Sequence, residues 1–446
     1  MSVFGMAAFG LGYHVYADLP LSQSLRIPAA TALLPGMLLL AGSWHRASSR
    51  TVVFFAVSAV IALSSILLNP AFWASPALQE FLPDYLLSFI VFAASALMAL
   101  GILTASSGIR PDYVARGAGI AVLMILAGTG LELAGPLQQV SEAFRQAAFP
   151  AALLYEENLR DVLIYGQIRA KLFTSEPSHV AKSFTLALLV WYAVSRSTIR
   201  IPLFYSALAA GVFLIKSPGI LIVLPAVWIC DIVRLRNSGW LIAYALAGML
   251  IAPIALLTGF FLFEGRIDHI LSGQDGSFLI RLALPVQVWS EVWRDYPLFG
   301  LGFGAKESGV PYALAAGAAM GLDLDVLLTT TAPIGNNGLF IALVQMGALG
   351  SLLLAGTFCI YWRSVCGPYW VFAATALLTY LTTLGAINDP RFWGAFALIT
   401  IAARAAYRRD IGASRPQPAP QHWPSPQAVH PIESRTPGHH PPRALR

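Results

Sequence analysis

Residues 84–106 read DYLLSFIVFAASALMALGILTAS, and after Asp84 no charged side chain occurs until Arg110. An uncharged run of about twenty residues, wound as a helix, matches the roughly 30 Å hydrocarbon core of a bilayer. Outward from this stretch, similar apolar runs fall near 2–17, 27–44, 51–68, 117–135, 181–195, 200–216, 218–234, 238–263, 338–362, 367–386 and 390–407. With 84–106 they make about twelve candidate transmembrane helices. The bulk composition agrees. Of 446 residues, 57% are hydrophobic and only 11% charged, where soluble domains carry about a quarter. Mean hydropathy is +0.68. The expected fold class is therefore an all-α polytopic membrane protein with one membrane domain over 1–409.

The formal net charge is +6. It does not point to a nucleic-acid partner, because the basic residues are spread over short loops and a tail instead of forming one face. Cys230, Cys359 and Cys366 have no CxxC spacing, so neither a disulfide framework nor a zinc site is indicated. Met1–Tyr16 lacks a basic leader and a convincing cleavage site, and reads as a short, uncleaved first span. Residues 410–446 hold nine prolines and four of the eight histidines with almost no aliphatics. Such a segment cannot build a core and is expected to be a disordered, Pro-rich cytoplasmic tail.

Orientation follows the arginines. Arg46 and Arg50, Arg110 and Arg116, Arg196 and Arg200, Arg234 and Arg236, Arg363, and Arg404, Arg408 and Arg409 occupy alternate short loops. The intervening loop 69–83 has no Lys or Arg. The arginine-bearing side is expected to be cytoplasmic, with both termini inside. Two wide gaps, 136–181 and 264–337, then lie outside together with all four lysines: Lys171, Lys182, Lys216 and Lys306. Basic residues there run against the positive-inside bias, and a bound anion is the simplest reason; the alternative is that long loops escape the bias.

The two wide gaps carry the candidate chemistry. In the first, Arg169 and Lys171 precede Ser175-Glu176-Pro177-Ser178-His179, where Ser175 or Ser178 can cap the next helix and Pro177 falls close to its first turn. In the second, Glu264, Arg266, Asp268 and His269 are followed by Asp275-Gly276-Ser277 and Arg281. An amphipathic run to Arg294 then places Trp289 and Trp293 on one face, suited to the headgroup level, with Arg281, Glu291, Arg294 and Asp295 held near it. The glycines of Asp295-Tyr296-Pro297-Leu298-Phe299-Gly300-Leu301-Gly302-Phe303-Gly304 imitate a dinucleotide loop, but no βαβ unit surrounds them. A close backbone turn fits them better. Asp323-Leu324-Asp325 imitates a metal–nucleotide-sugar motif and reads as an ordinary turn. Asn336-Asn337 could cap the following helix or hydrogen-bond sugar hydroxyls. Asp389 and Arg391 read as a helix cap and a surface ion pair. Glu132, near the outer end of its span, could face the site or be a buried, paired carboxylate.

Three stretches together resemble the bacterial O-antigen polymerase and O-antigen ligase superfamily, which includes exopolysaccharide repeat-unit polymerases. They are Arg169 through Ser178; Asp275-Gly276-Ser277 with Arg281, continuing through Trp289 to Gly304; and Asn336-Asn337 followed by Gln345-Met346-Gly347-Ala348-Leu349-Gly350. The similarity covers roughly residues 110–405. It implies a GT-C-like helical bundle with two larger extracytoplasmic loops in the cell inner membrane. It also implies a glycosyltransferase that polymerises oligosaccharide repeat units carried on undecaprenyl diphosphate. Ligases of this superfamily typically present His-Asn where this chain has Gly335-Asn336-Asn337, which favours a polymerase. Where relatives often carry Ser-Arg, this chain has Lys216-Ser217-Pro218, leaving Lys216 as the cation there.

On that resemblance, Arg169, Lys171, Lys216, Arg266, Arg281, Arg294, Asn336 and Asn337 are the expected substrate-binding residues. Glu176, His269 and Asp295 are candidates for the general base. No cofactor, metal or nucleotide is implied, because the diphosphate linkage is already activated. The partners implied are the lipid-linked glycan and membrane lipid, with a flippase and a chain-length regulator as candidate protein partners. Glycan ligation and lipid-linked glycan transport are the competing functions.

Overall fold

The computed structural model describes residues 2–20, 26–27, 29–69, 82–150, 158–197, 199–236, 278–305, 307–322, 337–383 and 386–414, with 154, 239 and 242. Apart from a two-residue antiparallel bridge, Leu19–Pro20 with Arg26–Ile27, regular structure among the described residues is helical. The first helices are α1 (Ser2–Val15), α2 (Ala30–Ser43), α3 (Ser49–Leu67), α4 (Leu82–Ala105) and α5 (Pro111–Leu133). Two short helices follow, α6 (Gln138–Ala148) and α7 (Asn158–Tyr165). Next come α8 (Pro177–Val194), α9 (Arg200–Ile215) and α10 (Val223–Leu235). The remainder is α11 (Leu284–Asp295), α12 (Val310–Ala319), α13 (Gly338–Cys366), α14 (Trp370–Leu381) and α15 (Pro390–Ser414).

Every described apolar run is helical; the run at 238–263 and the tail beyond residue 414 lie essentially outside the described residues. Among the described residues, five helical segments are long and apolar enough to cross a membrane: 49–67, 82–108, 111–133, 218–235 and 338–381. Their outward faces are greasy. Leu123, Leu352 and Ile360 are 67–73% exposed. In water that surface would drive association; in a bilayer it meets lipid tails.

Between such helices lipid supplies no hydrophobic drive, so close packing has to hold the bundle. The centre is an aromatic cluster of α3, α13 and α15. Phe54 stacks on Tyr361 (4.4 Å between centroids) and on Phe396 (5.1 Å), with Phe358 and Trp393 tilted against them. Helices α8 and α15 run parallel. At one end His179 meets Arg391, and at the other Arg409 donates to the Ser195 carbonyl at 2.9 Å.

The arginine-rich loops gather at this second end. Arg404 donates to Ser106 Oγ (2.7 Å), Arg50 to the Ser364 carbonyl and Arg408 to the Ser107 carbonyl (3.2 Å each). Arg200 and Arg234 face Asp231, with Arg234 also bonded to the end of α8. The opposite end carries the residues described next.

The glycine-rich segment after Asp295 is a close backbone turn, and it is wedged into a break in α13. Gly347 has φ 62° and ψ −170°, a conformation essentially restricted to glycine. The backbone groups freed there are taken up by the turn. Leu301 N donates to the Val344 carbonyl (2.8 Å), Ala348 N to Pro297 (2.9 Å) and Leu349 N to Leu298 (3.1 Å). Phe303 N donates to Ser65 Oγ and Tyr85 Oη to the Leu301 carbonyl, so the wedge also locks α3 and α4.

Candidate functional site

Seven residues before α8 form a loop that is held from every side. Leu172 and Phe173 both adopt positive φ (37° and 63°), which costs a non-glycine residue about 1–3 kcal/mol. The Glu132 carboxylate accepts from the backbone N–H of Lys171 (3.1 Å) and Leu172 (2.6 Å). Ser141 Oγ accepts from Phe173 N at 3.1 Å. Arg145, only 1% exposed, donates to the carbonyls of Thr174 (2.9 Å) and Ser175 (3.2 Å). His14 Nε2 reaches the Leu172 carbonyl at 2.9 Å. Of the two readings open for Glu132, the paired carboxylate is the one observed.

This loop fixes where α8 begins. Glu176 is its N-cap residue in extended conformation, and Pro177 opens its first turn. Glu176, His179 and Lys182 then repeat every three residues along one face. Glu176 Oε1 lies 3.0 Å from His179 Nε2 and also accepts from Ser178 Oγ. Ser175 Oγ is hydrogen-bonded to His179 Nδ1 at 3.1 Å.

Two further elements complete the cluster. From α15, the Arg391 guanidinium lies against the imidazole, with its terminal nitrogens 2.6 and 2.9 Å from Nε2 and Nδ1. Its other face covers the Tyr16 ring at 3.5 Å from the centroid. Tyr16 donates its hydroxyl to Asp389, which also accepts the Arg391 backbone N–H at 2.7 Å. From a π-helical turn, Leu279–Ala283, Arg281 brings Nη2 to 3.9 Å from Glu176 Oε1. Such turns often mark functional positions.

Asn337 supports Arg281 from behind. Its side-chain oxygen caps α13 by accepting from Leu339 N (3.2 Å) and Phe340 N (3.5 Å), while Nδ2 donates to the Arg281 carbonyl (3.0 Å). Asn337→Ala should cost about 1 kcal/mol of stability through the lost cap. It should also free the Arg281 turn, read as faster amide hydrogen exchange over 279–283; unchanged exchange there would refute the tie.

The cluster is reachable as well as organised. The side chains of Glu176 and Arg281 keep 30% and 31% of their surface exposed, and His179 keeps 11%. Burial alone would push the Glu176 carboxyl up. The adjoining His179, and Lys182 and Arg281 beyond it, outweigh this and hold it well below the usual carboxylate range. The site thus presents an ionised carboxylate with the Arg281 guanidinium beside it and the Arg391 guanidinium on the adjoining His179.

Of the residues chosen from the sequence as substrate-binding or catalytic, Glu176 and Arg281 come together here, with Asn337 behind them. The other described ones stand elsewhere. Arg169 is a strut: Nε and Nη2 each sit 2.8 Å from Asp161 Oδ1, and its guanidinium covers Tyr165. Lys171 is buried, and burial together with the neighbouring Arg145 lowers its ammonium pKa. Lys216 donates to the Tyr165 carbonyl at 2.8 Å. Arg294 pairs with Glu291 at the surface, and Asp295 accepts from Tyr312 Oη, both at 2.8 Å. Arg266, His269, Lys306, Asn336, Asp323 and Asp325 lie outside the described residues.

Three members of the cluster are not among the residues chosen from sequence as site residues: His179, Lys182 and Arg391. The first two had a readable signal, their spacing from Glu176. Arg391 had none, because only the fold brings residue 391 to residue 179. The Asp389 cap is present, but Arg391 turns into the cluster instead of forming a surface ion pair.

No protein-family model matches the chain, and no curated protein matches it.

Proposed function

We propose that this chain is a multi-pass membrane glycosyltransferase that polymerises undecaprenyl-diphosphate-linked oligosaccharide repeat units on the outer face of the cytoplasmic membrane. The observation that carries the reading is the Glu176 carboxylate with Arg281 beside it and Arg391 on the adjoining His179, at the bundle end opposite the arginine-rich loops. By the positive-inside bias that end is extracytoplasmic, in a twelve-span topology with both termini inside.

In this reading the glycosidic carbon of the donor is attacked by a hydroxyl of the acceptor sugar. Glu176 takes the hydroxyl proton as the new C–O bond forms. The bond from carbon to the lipid diphosphate breaks, and its electron pair leaves with the diphosphate. Charge grows on that leaving group, and Arg281 and Arg391 are the cations available to meet it. An arginine fork can pair two phosphate oxygens at once. Cations already in position need no reorganisation as the charge develops, which is where electrostatic catalysis gains most.

A transporter is the competing class, and one feature has the look of it: the broken helix α13. Its freed backbone groups, however, are bonded to residues 297–301 instead of facing a cavity. That favours an enzyme. A ligase would use the same chemistry on a different acceptor.

The test is reconstitution of the purified chain in liposomes with outward-facing lipid-linked repeat units. A polymerase yields a ladder of lengthened glycans. A flippase moves the lipid and forms no new glycosidic bond, and a ligase lengthens nothing without its separate acceptor.

A further inference from the structure

At the arginine-rich end, a cavity of about 380 Å³ opens between α3, α4, α13 and α15, lined by Arg46, Arg50, Arg404 and Arg408 with Ser48 and Ser49. We infer that it is a binding site for a phosphate-bearing anion, on the face opposite the proposed catalytic cluster. The inference does not depend on the proposed reaction.

The charge pattern argues for it. Five other arginines at this end have carboxylates beside them: Arg110 and Arg196 face Asp112, Arg200 and Arg234 face Asp231, and Arg409 faces Asp410, while Arg116, Arg236 and Arg363 do not line the cavity. The four that line the cavity have none within ion-pair distance among the described residues. Their contacts are to neutral groups: Arg46 to His45, Arg50 to the Ser364 carbonyl, Arg404 to Ser106 and the Leu103 carbonyl, and Arg408 to the Ser107 carbonyl. Each guanidinium has five N–H donors, so these contacts leave most of them for a ligand. Among the described residues, no carboxylate lines the cavity.

The setting suits a tetrahedral anion. Ser48 is the N-cap of α3, so the positive end of that helix adds to the four cations. The surroundings also admit a lipid. Trp44, on the turn that carries Arg46, is 55% exposed, and α3 presents Val53 and Val60 outward at 58% and 61%. A phospholipid headgroup could sit among the arginines with its tails along α3, and a soluble phosphate could enter from the aqueous side.

The experiment titrates the full-length chain in neutral detergent with short-chain phosphatidylglycerol, with phosphatidylcholine of equal chain length, and with inorganic phosphate, following saturable binding. The variant is R46Q/R50Q/R408Q, three exposed positions. The control is R116Q/R236Q/R363Q, which removes the same charge from exposed positions at the same end that do not line the cavity. Phosphatidylglycerol binding that weakens at least tenfold in the variant and holds in the control supports the site, with lipid as the source. The same pattern for inorganic phosphate, with the lipid binding no tighter, supports the site with a soluble source. Binding of neither, or equal weakening in variant and control, overturns it.

Discussion

Arg281→Ala is expected to abolish long polymer while the chain stays inserted and folded. Arg281 stands 3.9 Å from Glu176, and in the proposed reaction it is one of two arginines that meet the departing diphosphate. Removing one preorganised partner of a developing charge typically costs about 10²–10³ in rate. Arg281→Lys keeps the charge but loses the fork, so its chains should be shortened instead of absent. The pH dependence separates chemistry from mere damage. In the parent, Glu176 is held well below the usual carboxylate range, so it stays ionised until acid well below an ordinary glutamate pKa of about 4.3. Arg281 contributes to that depression. In Arg281→Ala the Glu176 pKa rises, and the acid limb of any residual activity moves to higher pH. Stability follows the same sign: the contribution of the depressed carboxylate is full above the unfolded-state pKa and disappears as pH falls through the folded-state value. Glu176→Gln should remove the acid limb together with most of the activity. Normal glycan lengths in Arg281→Ala, read on a gel, would remove the assignment.

Gly347→Ala is the second large effect, and it concerns folding. The backbone there lies in a region that side chains with a Cβ essentially never occupy, and a Cβ would run into the Leu298 carbonyl. The expected loss is about 3 kcal/mol or more, since strain and the severed seam act together. Gly300→Ala should behave alike, because its φ is +64° and its Cβ would strike the Val344 carbonyl from the other side of the same seam. Gly356, in the same helix, has open space where a Cβ would go, and Gly356→Ala should be neutral or mildly stabilising. Folded yield after extraction and the midpoint of thermal unfolding would compare the three. Equal stability of Gly347→Ala and Gly356→Ala would show that the wedge is not needed.

The long helices were legible because each is a continuous apolar run, and such a run has few alternatives to a helix across a membrane, whereas the short polar helices α6 and α7 give no such signal. The site was legible in part. Glu176 and Arg281 stand out as charges at the rim of an apolar protein, and the structure brings them together. The same argument selected Arg169, Lys216 and Arg294, which the fold engages otherwise. Arg169 is taken by Asp161, eight residues earlier, and Lys216 by a carbonyl on α7. Which carboxylate or carbonyl claims a given cation depends on which helix ends meet, and spacing along the chain does not encode that. Arg391 reaches His179 across 212 residues for the same reason. The strained loop before α8 was equally hidden, since Leu172 and Phe173 carry no sign of positive φ until Glu132, Ser141 and Arg145 are seen to hold them.

The seam between residues 297–301 and α13 has a consequence for biogenesis. The turn leaves the ribosome about forty residues ahead of the helix it must split, and its remaining anchors, Ser65 and Tyr85, belong to spans made far earlier. The backbone groups freed at Gly347 find their partners only where residues 297–301 lie against the helix, so residues 338–366 reach their observed shape together with that turn and not before it.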